Sequence, residues 1–275
     1  MSIVTLTTDF GTKDFFVASI KGSLYSLNPN LTVVDISHEI SPFDLSETAY
    51  VLLGAYGSFP QNTIHIIGVD ATSSIRQKYL LAKKNGHYFL ASDNGILSLL
   101  FPDLAFDLLL EIKVPKEKMI QFATKEVFVP VAGYLAQQGD KFQPQKIGVP
   151  LKQIVTKTPI NTQIKGNQLV GTIVYIDHFG NAITNIERSF FLEILKERSF
   201  LIRVRNHTFD QIFNLYSEIV PLDQNDSKFH GKAMCLFNSS GKLEIAIYKS
   251  NPQTVGSASS LFGLLVGDNI TIEFV

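Results

Sequence analysis

The sequence predicts an α/β fold: an N-terminal α/β sheet domain flanked by helices, followed by a C-terminal, mostly antiparallel β domain. In the first half, short apolar runs alternate with helix-length stretches, the rhythm of parallel strands joined by crossover helices. In the second half, strand-like runs follow one another with polar turns between them. A polar stretch around Pro159 lies between, so the expected domains are 1–155 and 166–275, with 156–165 as linker.

The elements follow in order. "IVTLTTDF" reads as a strand, "FFVASIKGSLYSL" as a helix, "LTVVDIS" as a strand, "SETAYVLLGAYGSF" as a helix and "TIHIIGVD" as a strand. Asp9, Asp35 and Asp70 are expected at strand ends, and in open α/β sheets ligands bind beyond the carboxyl ends of the strands. "YLLAKKNGHYFLASDNGILS" is a strand pair turned at Asn85-Gly86, because Asn-Gly tolerates the positive φ of a two-residue hairpin. "EVFVPVAGYLAQQG" is a helix ending near Gly139. Beyond the linker come strands in "LVGTIVYID", "SFLIRVR", "KAMCLFNSSGKLEIAIYKS" and "DNITIEFV", the third bent into a hairpin at Ser239-Ser240-Gly241. "RSFFLEILKE" is the helical interruption.

Composition bounds the function. The chain has 275 residues, 45% of them hydrophobic, enough to fill real cores. Its 24 basic and 25 acidic residues are mixed along the chain for a net charge of -1, which leaves no basic stripe for nucleic acid or an anionic membrane. A small neutral or zwitterionic ligand fits better. Cys235 is the only cysteine and sits in an apolar strand, so no internal disulfide forms. "MSIVTLTTDF" lacks the basic and apolar regions of a signal peptide, and no apolar run approaches the ~20 residues of a membrane span, so a cytoplasmic protein is expected. The 21 phenylalanines beside only 18% charged residues point to deep burial and an oligomer interface. The six histidines form no HxH or HExxH pattern, so no zinc ligand set exists; His65, alternating within its strand, reads as a core histidine. Neither a GxSxG elbow nor a Walker A loop occurs, and "DFG" so near the start, without the other kinase loops, carries nothing.

Three loops could carry chemistry. In "TTDFGTKD", Asp9 above a tight turn can accept two hydrogen bonds from a ribose cis-diol, and capping of the next helix explains it equally well. In "YIDHFGNAITNI", Asp177 and Asn181 flank a Phe-Gly turn; an amide suits a purine edge, while an ordinary hairpin turn accounts for the same pair. The serines of "LFNSSGKLEIAI" offer hydroxyls and backbone amides to a carboxylate, or make a plain polar turn. Asp70 and Arg76 in "IHIIGVDATSSIRQ" form a fourth candidate, a charged pair that alone could be a surface ion pair of little energetic weight.

Taken together, "TDFGTKD", "VVDISHEISPFDLSETAYVL", "FPQNTIHIIGVD", "GHYFLASDNGILS", "VFVPVAGYLA", "YIDHFGNAITNI" and "NSSGKLEIA", in that order along nearly the whole chain, resemble the S-adenosyl-L-methionine (SAM) hydroxide adenosyltransferases, relatives of fluorinating and chlorinating enzymes. The resemblance implies SAM as substrate with no cofactor, and a homotrimer whose sites lie between the N-terminal domain of one subunit and the C-terminal domain of the next. By position it implies that Asp9 clamps the ribose, Asn181 reads the adenine, Tyr216 stacks on it, Asp177 meets the methionine ammonium, and Ser239 with the amide region of Ser240 holds the carboxylate. Asp70 and Arg76 would prepare the attacking water. Where the family carries a histidine for that task this chain has Ala123, and the turn between Asp70 and Arg76 is one residue shorter than usual. A hydrolase is therefore the leading expectation; a weak or inactive SAM or adenosine binder and halide-dependent adenosyl transfer are the alternatives.

Overall fold

The computed structural model describes residues 2–72, 77–115 and 119–275. Two compact units divide the chain, Met1–Pro159 and Ile160–Val275.

The first unit runs β1 (Ile3–Thr8), α1 (Phe16–Leu27), β2 (Thr32–Ser37), α2 (Leu45–Tyr56), β3 (Ile64–Gly68), β4 (Tyr79–Lys84), β5 (His87–Ser92), α3 (Ile96–Leu100), β6 (Leu108–Ile112), α4 (Val129–Gln138), α5 (Pro144–Ile147) and β7 (Gly148–Pro150). Its strands order as β2-β1-β3-β5-β4-β6-β7. Four of them, β2, β1, β3 and β5, are parallel, and the β4, β6 and β7 pairings are antiparallel. The sheet is thus mixed, because a two-residue turn can only return the chain antiparallel. Alternating strand residues feed two cores. Val4, Leu6, Ile64 and Ile66 pack under α1 and α4, while Ile67, Val69, Leu80 and Phe89 pack under α2 and α3. The start of α2 is set by Asp44, whose Oδ1 accepts the Ser46 and Glu47 amides, both at 2.9 Å.

The sequence placed Asp35 at the end of its strand; β2 instead continues to Ser37. Asp35 is an exposed position inside an edge strand, where a polar residue facing solvent costs nothing. The helix expected in "EVFVPVAGYLAQQG" is α4, entered through one π turn over Thr124–Phe128 and ending at Gly139.

The second unit contains β8 (Gln163–Lys165), β9 (Gln168–Ile176), β10 (Ala182–Glu187), α6 (Arg188–Leu195), β11 (Phe200–Val204), β12 (His207–Phe209), β13 (Ala233–Phe237), β14 (Lys242–Ile247), α7 (Ala258–Phe262) and β15 (Asn269–Phe274). The strand order is β12-β11-β15-β9-β10-β14-β13, all antiparallel, with β8 folded back on β9 across Gly166 at φ 62°. One face buries Leu169, Ile186, Ile202, Leu243 and Ile272, and the other, along β13 and β14, buries Met234, Leu236, Ala246 and Tyr248 under the 213–229 segment. Among the described residues no helix is long and apolar enough to cross a membrane.

Candidate active site

In the first unit the candidate residues Asp9 and Asp70 stand just beyond the ends of the parallel strands β1 and β3. Asp9 follows β1 directly, and its Oδ2 accepts the backbone amides of Phe43 (3.0 Å), after β2, and of Asp70 (3.3 Å), after β3. One carboxylate therefore ties three strand-end loops together, with acceptor capacity left for a ligand. The Thr8 hydroxyl bonds His38 Nδ1 at 2.8 Å and the Gly11 amide donates to the His38 carbonyl at 2.7 Å, so the turn after Asp9 is pinned to the β2 loop. Asp70 adopts φ 45°, and the Asn94 amide holds that bend by donating to the Val69 and Asp70 carbonyls at 3.2 and 3.1 Å. Asp9 and Asp70 are thus neighbours; Arg76 lies outside the described residues.

Ala123 is 1% exposed, at the entrance to the π turn and within the α1/α4 core. Next to it, fully buried Thr124 leans on Gly68, the last residue of β3, and its hydroxyl has no protein partner among the described residues. Glu126 is turned back on the chain, accepting the Gln121 and Phe122 amides at 3.0 and 2.8 Å. A cavity of about 370 Å³ lies between β6 and α4, lined by Ile112, Val127, Pro130, Val131, Tyr134 and Ile147; none of the sequence-predicted site residues lines it.

In the second unit the loop from β9 to β10 is a tight turn in which the Asp177 and Asn181 backbones bond each other at 3.1 Å. Gly180 sits at φ 73°, and a β-carbon there would come within 2.2 Å of Ser257 Oγ, so only glycine lets α7 approach. Asp177 Oδ1 accepts the Asn181 amide at 2.8 Å, and its Oδ2 accepts Asn181 Nδ2 at 3.0 Å. Tyr216, on a short 3-10 turn over Tyr216–Ile219, brings its hydroxyl to Asn181 Nδ2 at 3.3 Å. Asp177, Asn181 and Tyr216 therefore form one cluster.

Glu244, on β14, completes that cluster and was missed in the sequence. It is 3% exposed and accepts the Tyr216 hydroxyl. Burial pushes its carboxyl above the usual range, hydrogen bonds from Tyr216 and Asn238 pull it back in part, and the Asp177 charge adds to the rise. Ser239 and Ser240 are exposed at the β13–β14 turn, where the Ser240 amide and hydroxyl bond Asn238 Oδ1 at 3.0 and 2.7 Å. Ser240 is linked to the cluster through Asn238, whose side chain also bonds Glu244. Among the described residues no group of three His, Cys, Asp or Glu can hold a metal ion.

With this geometry in place, likeness to known proteins is informative. Residues 4–147 match the SAM hydroxide adenosyltransferase N-terminal domain, and residues 171–271 match the C-terminal domain of the same family. A protein named (R)-S-adenosyl-L-methionine hydrolase from Methanocaldococcus jannaschii is 29% identical, covering 100% of this chain and 97% of its own. A fluorinase from an Actinoplanes species is 27% identical over 68% of this chain and 72% of its own. The crystal structure of an uncharacterized conserved protein from Thermotoga maritima, 26% identical, superposes with a TM-score of 0.82 over 98% of this chain and 99% of that one. This chain belongs to the SAM hydroxide adenosyltransferase family.

Proposed function

We propose that the protein hydrolyses SAM to adenosine and L-methionine by attack of water at C5′ of the ribose. Coverage carries this reading: relatives named (R)-SAM hydrolase match at 26–29% identity along 97–100% of this chain. The described residues fit such a substrate. Asp9 has lone pairs for both hydroxyls of the ribose, and Asn181 and Tyr216 offer an amide and an aromatic ring to the adenine. Asp177 takes the methionine ammonium, while Ser239 and the amide region of Ser240 take its carboxylate, the Ser240 N–H turning from Asn238 Oδ1 to do so. Asp70 and Arg76 orient the water. The two halves of the substrate meet between the N-terminal domain of one subunit and the C-terminal domain of its neighbour in a homotrimer, working in the cytoplasm without a cofactor.

The chemistry asks little of acid catalysis. A C5′–O bond forms as the C5′–S bond breaks, the electron pair quenches the sulfonium, and methionine leaves as a neutral thioether. The water's proton passes through the Asp70 carboxylate to solvent. Holding water in line with the scissile bond and away from bulk solvent is the protein's main contribution.

Ala123 favours a second reading, a binder with little turnover, because a buried methyl cannot carry a proton. Incubation with the (R)-sulfonium epimer of SAM, followed by chromatography, separates the two. Wild type is expected to release adenosine and methionine in equal amounts, with Asp9→Ala lowering kcat/KM by ~10² through the lost charged hydrogen bonds. Product at the Asp9→Ala level with SAM binding intact overturns the hydrolase reading. A 5′-chloro product that appears only with chloride present establishes halide transfer instead.

A further inference from the structure

The Asn181 amide is held one way round. Its Nδ2 donates to Asp177 Oδ2 at 3.0 Å and to Tyr216 Oη at 3.3 Å, which uses both hydrogens of the amide nitrogen. Turning the amide over would set Oδ1 against the Asp177 carboxylate, acceptor against acceptor, so the hydrogen-bond network determines the orientation. With Asn181 only 6% exposed, Oδ1 is, among the described residues, the amide atom left for a ligand, and it can only accept.

This arrangement needs an outlet for the tyrosine proton. Tyr216 Oη accepts from Asn181 while its own O–H points elsewhere, and it donates to Glu244 Oε1. Glu244 lies in the cluster at 3% exposure and also accepts a hydrogen bond from Asn238. A carboxyl in either protonation state keeps an acceptor oxygen, so this end of the chain accepts throughout. The donor chain runs Asn181 to Tyr216 to Glu244.

We propose that Glu244 is a positioning residue for the nucleobase: by accepting the Tyr216 proton it keeps the Asn181 carbonyl available to the ligand, so the site selects a purine edge bearing an amino N–H over one bearing an oxo oxygen. The proposal rests on the reading of Asn181 as the base contact. An oxo edge would place two acceptors together at a buried position, the mismatch that hydrogen-bonding sites reject most strongly.

The test measures dissociation constants for SAM and for its 6-oxo analogue, obtained by deaminating the adenine, so it stands with or without turnover. Wild type is expected to prefer the 6-amino form by ~10- to 10²-fold. Glu244→Leu should weaken SAM binding and lower that preference severalfold, Asp177 still holding one hydrogen of the amide, while Glu244→Gln, whose amide oxygen still accepts from Tyr216, should retain it. Tyr216→Phe keeps the ring and loses the link, and should behave like Glu244→Leu even where the leucine variant folds poorly. Wild-type preference in Glu244→Leu or Tyr216→Phe, or a glutamine variant as damaged as the leucine one, overturns the proposal. Asn181→Ala distinguishes the two levels: unchanged preference there removes Asn181 as the base contact, whereas lost preference there with an unaffected Tyr216→Phe removes the positioning role alone.

Discussion

A methyl group added at Gly68 would come within 2.9 Å of Thr124 Oγ1, 3.0 Å of Thr124 Cγ2 and 3.1 Å of Thr8 Cγ2. All three belong to fully buried side chains at the edge that presents Asp9 and Asp70, so little there can yield. Gly68→Ala is expected to cost ~1 to 3 kcal/mol by overpacking, read as a lower urea midpoint. Because the Thr124 hydroxyl has no protein partner among the described residues, removing it is inexpensive, and Thr124→Ala should recover most of the loss in the double variant. A double variant no more stable than Gly68→Ala rules out this contact as the cause. At this scale the candidate site was partly legible in the sequence. Asp9 and Asp70 could be paired because each follows an apolar run, and the ends of parallel strands lie side by side. Glu244 was not legible, since a charged residue inside "KLEIAI" has the pattern of an outward-facing strand position. Its burial depends on Tyr216, 28 residues earlier, folding over that face.

The inner strands of the first unit carry a polar thread of their own. Thr5 Oγ1 on β1 bonds His65 Nδ1 on β3 at 2.7 Å, and His65 Nε2 meets His87 Nδ1 on β5 at 3.2 Å. Burial, with a smaller contribution from the neighbouring His87, pulls His65 down to about 3. The unfolded chain takes up this proton below its ordinary value near 6.5, whereas the folded protein refuses it until about pH 3. Stability due to neutral His65 is therefore full above pH 6.5 and is lost as pH falls toward 3. His65→Gln, neutral at every pH, should flatten the fall in unfolding free energy between about pH 6 and 4 by up to ~1.4 kcal/mol per pH unit; an unchanged slope excludes His65 as the source. Element type was readable wherever a local signal exists. Asn85-Gly86, at φ 51° and 78°, makes the expected hairpin. The π turn before α4 has no side-chain signature because it spans only Thr124–Phe128, too few residues for the shift in apolar register to show as a pattern. The β8 strand, "QIK", is too short and polar to stand out.

The proposed shared site makes a prediction about the whole molecule. Asp9 and Asn181 belong to different compact units, so a trimer assembled from Asp9→Ala and Asn181→Ala subunits contains some interfaces with both residues intact. Random mixing restores about a quarter of the sites, while each variant alone restores none. Coexpression with adenosine release as readout checks it: activity no higher than that of the separate variants overturns the shared site. Sizing by light scattering gives an independent check, with a monomer excluding it outright.

The Asn85-Gly86 turn has a further consequence for how the first unit assembles. Among the described strands of its sheet, β4 and β5 are the only partners joined by a two-residue turn, while β1 must wait for β2 and β3 across α1 and α2. A hairpin closes in ~1 to 10 μs, and pairings of longer range pay more loop-closure entropy before any contact rewards them. Refolding is expected to start at the β4–β5 hairpin and reach β1 and β2 later; pulsed hydrogen exchange that finds β1 amides protected as early as those of β4 and β5 overturns this order. On that order, a partly folded chain holds the hairpin side of its sheet before Asp9 and Asp70 come together.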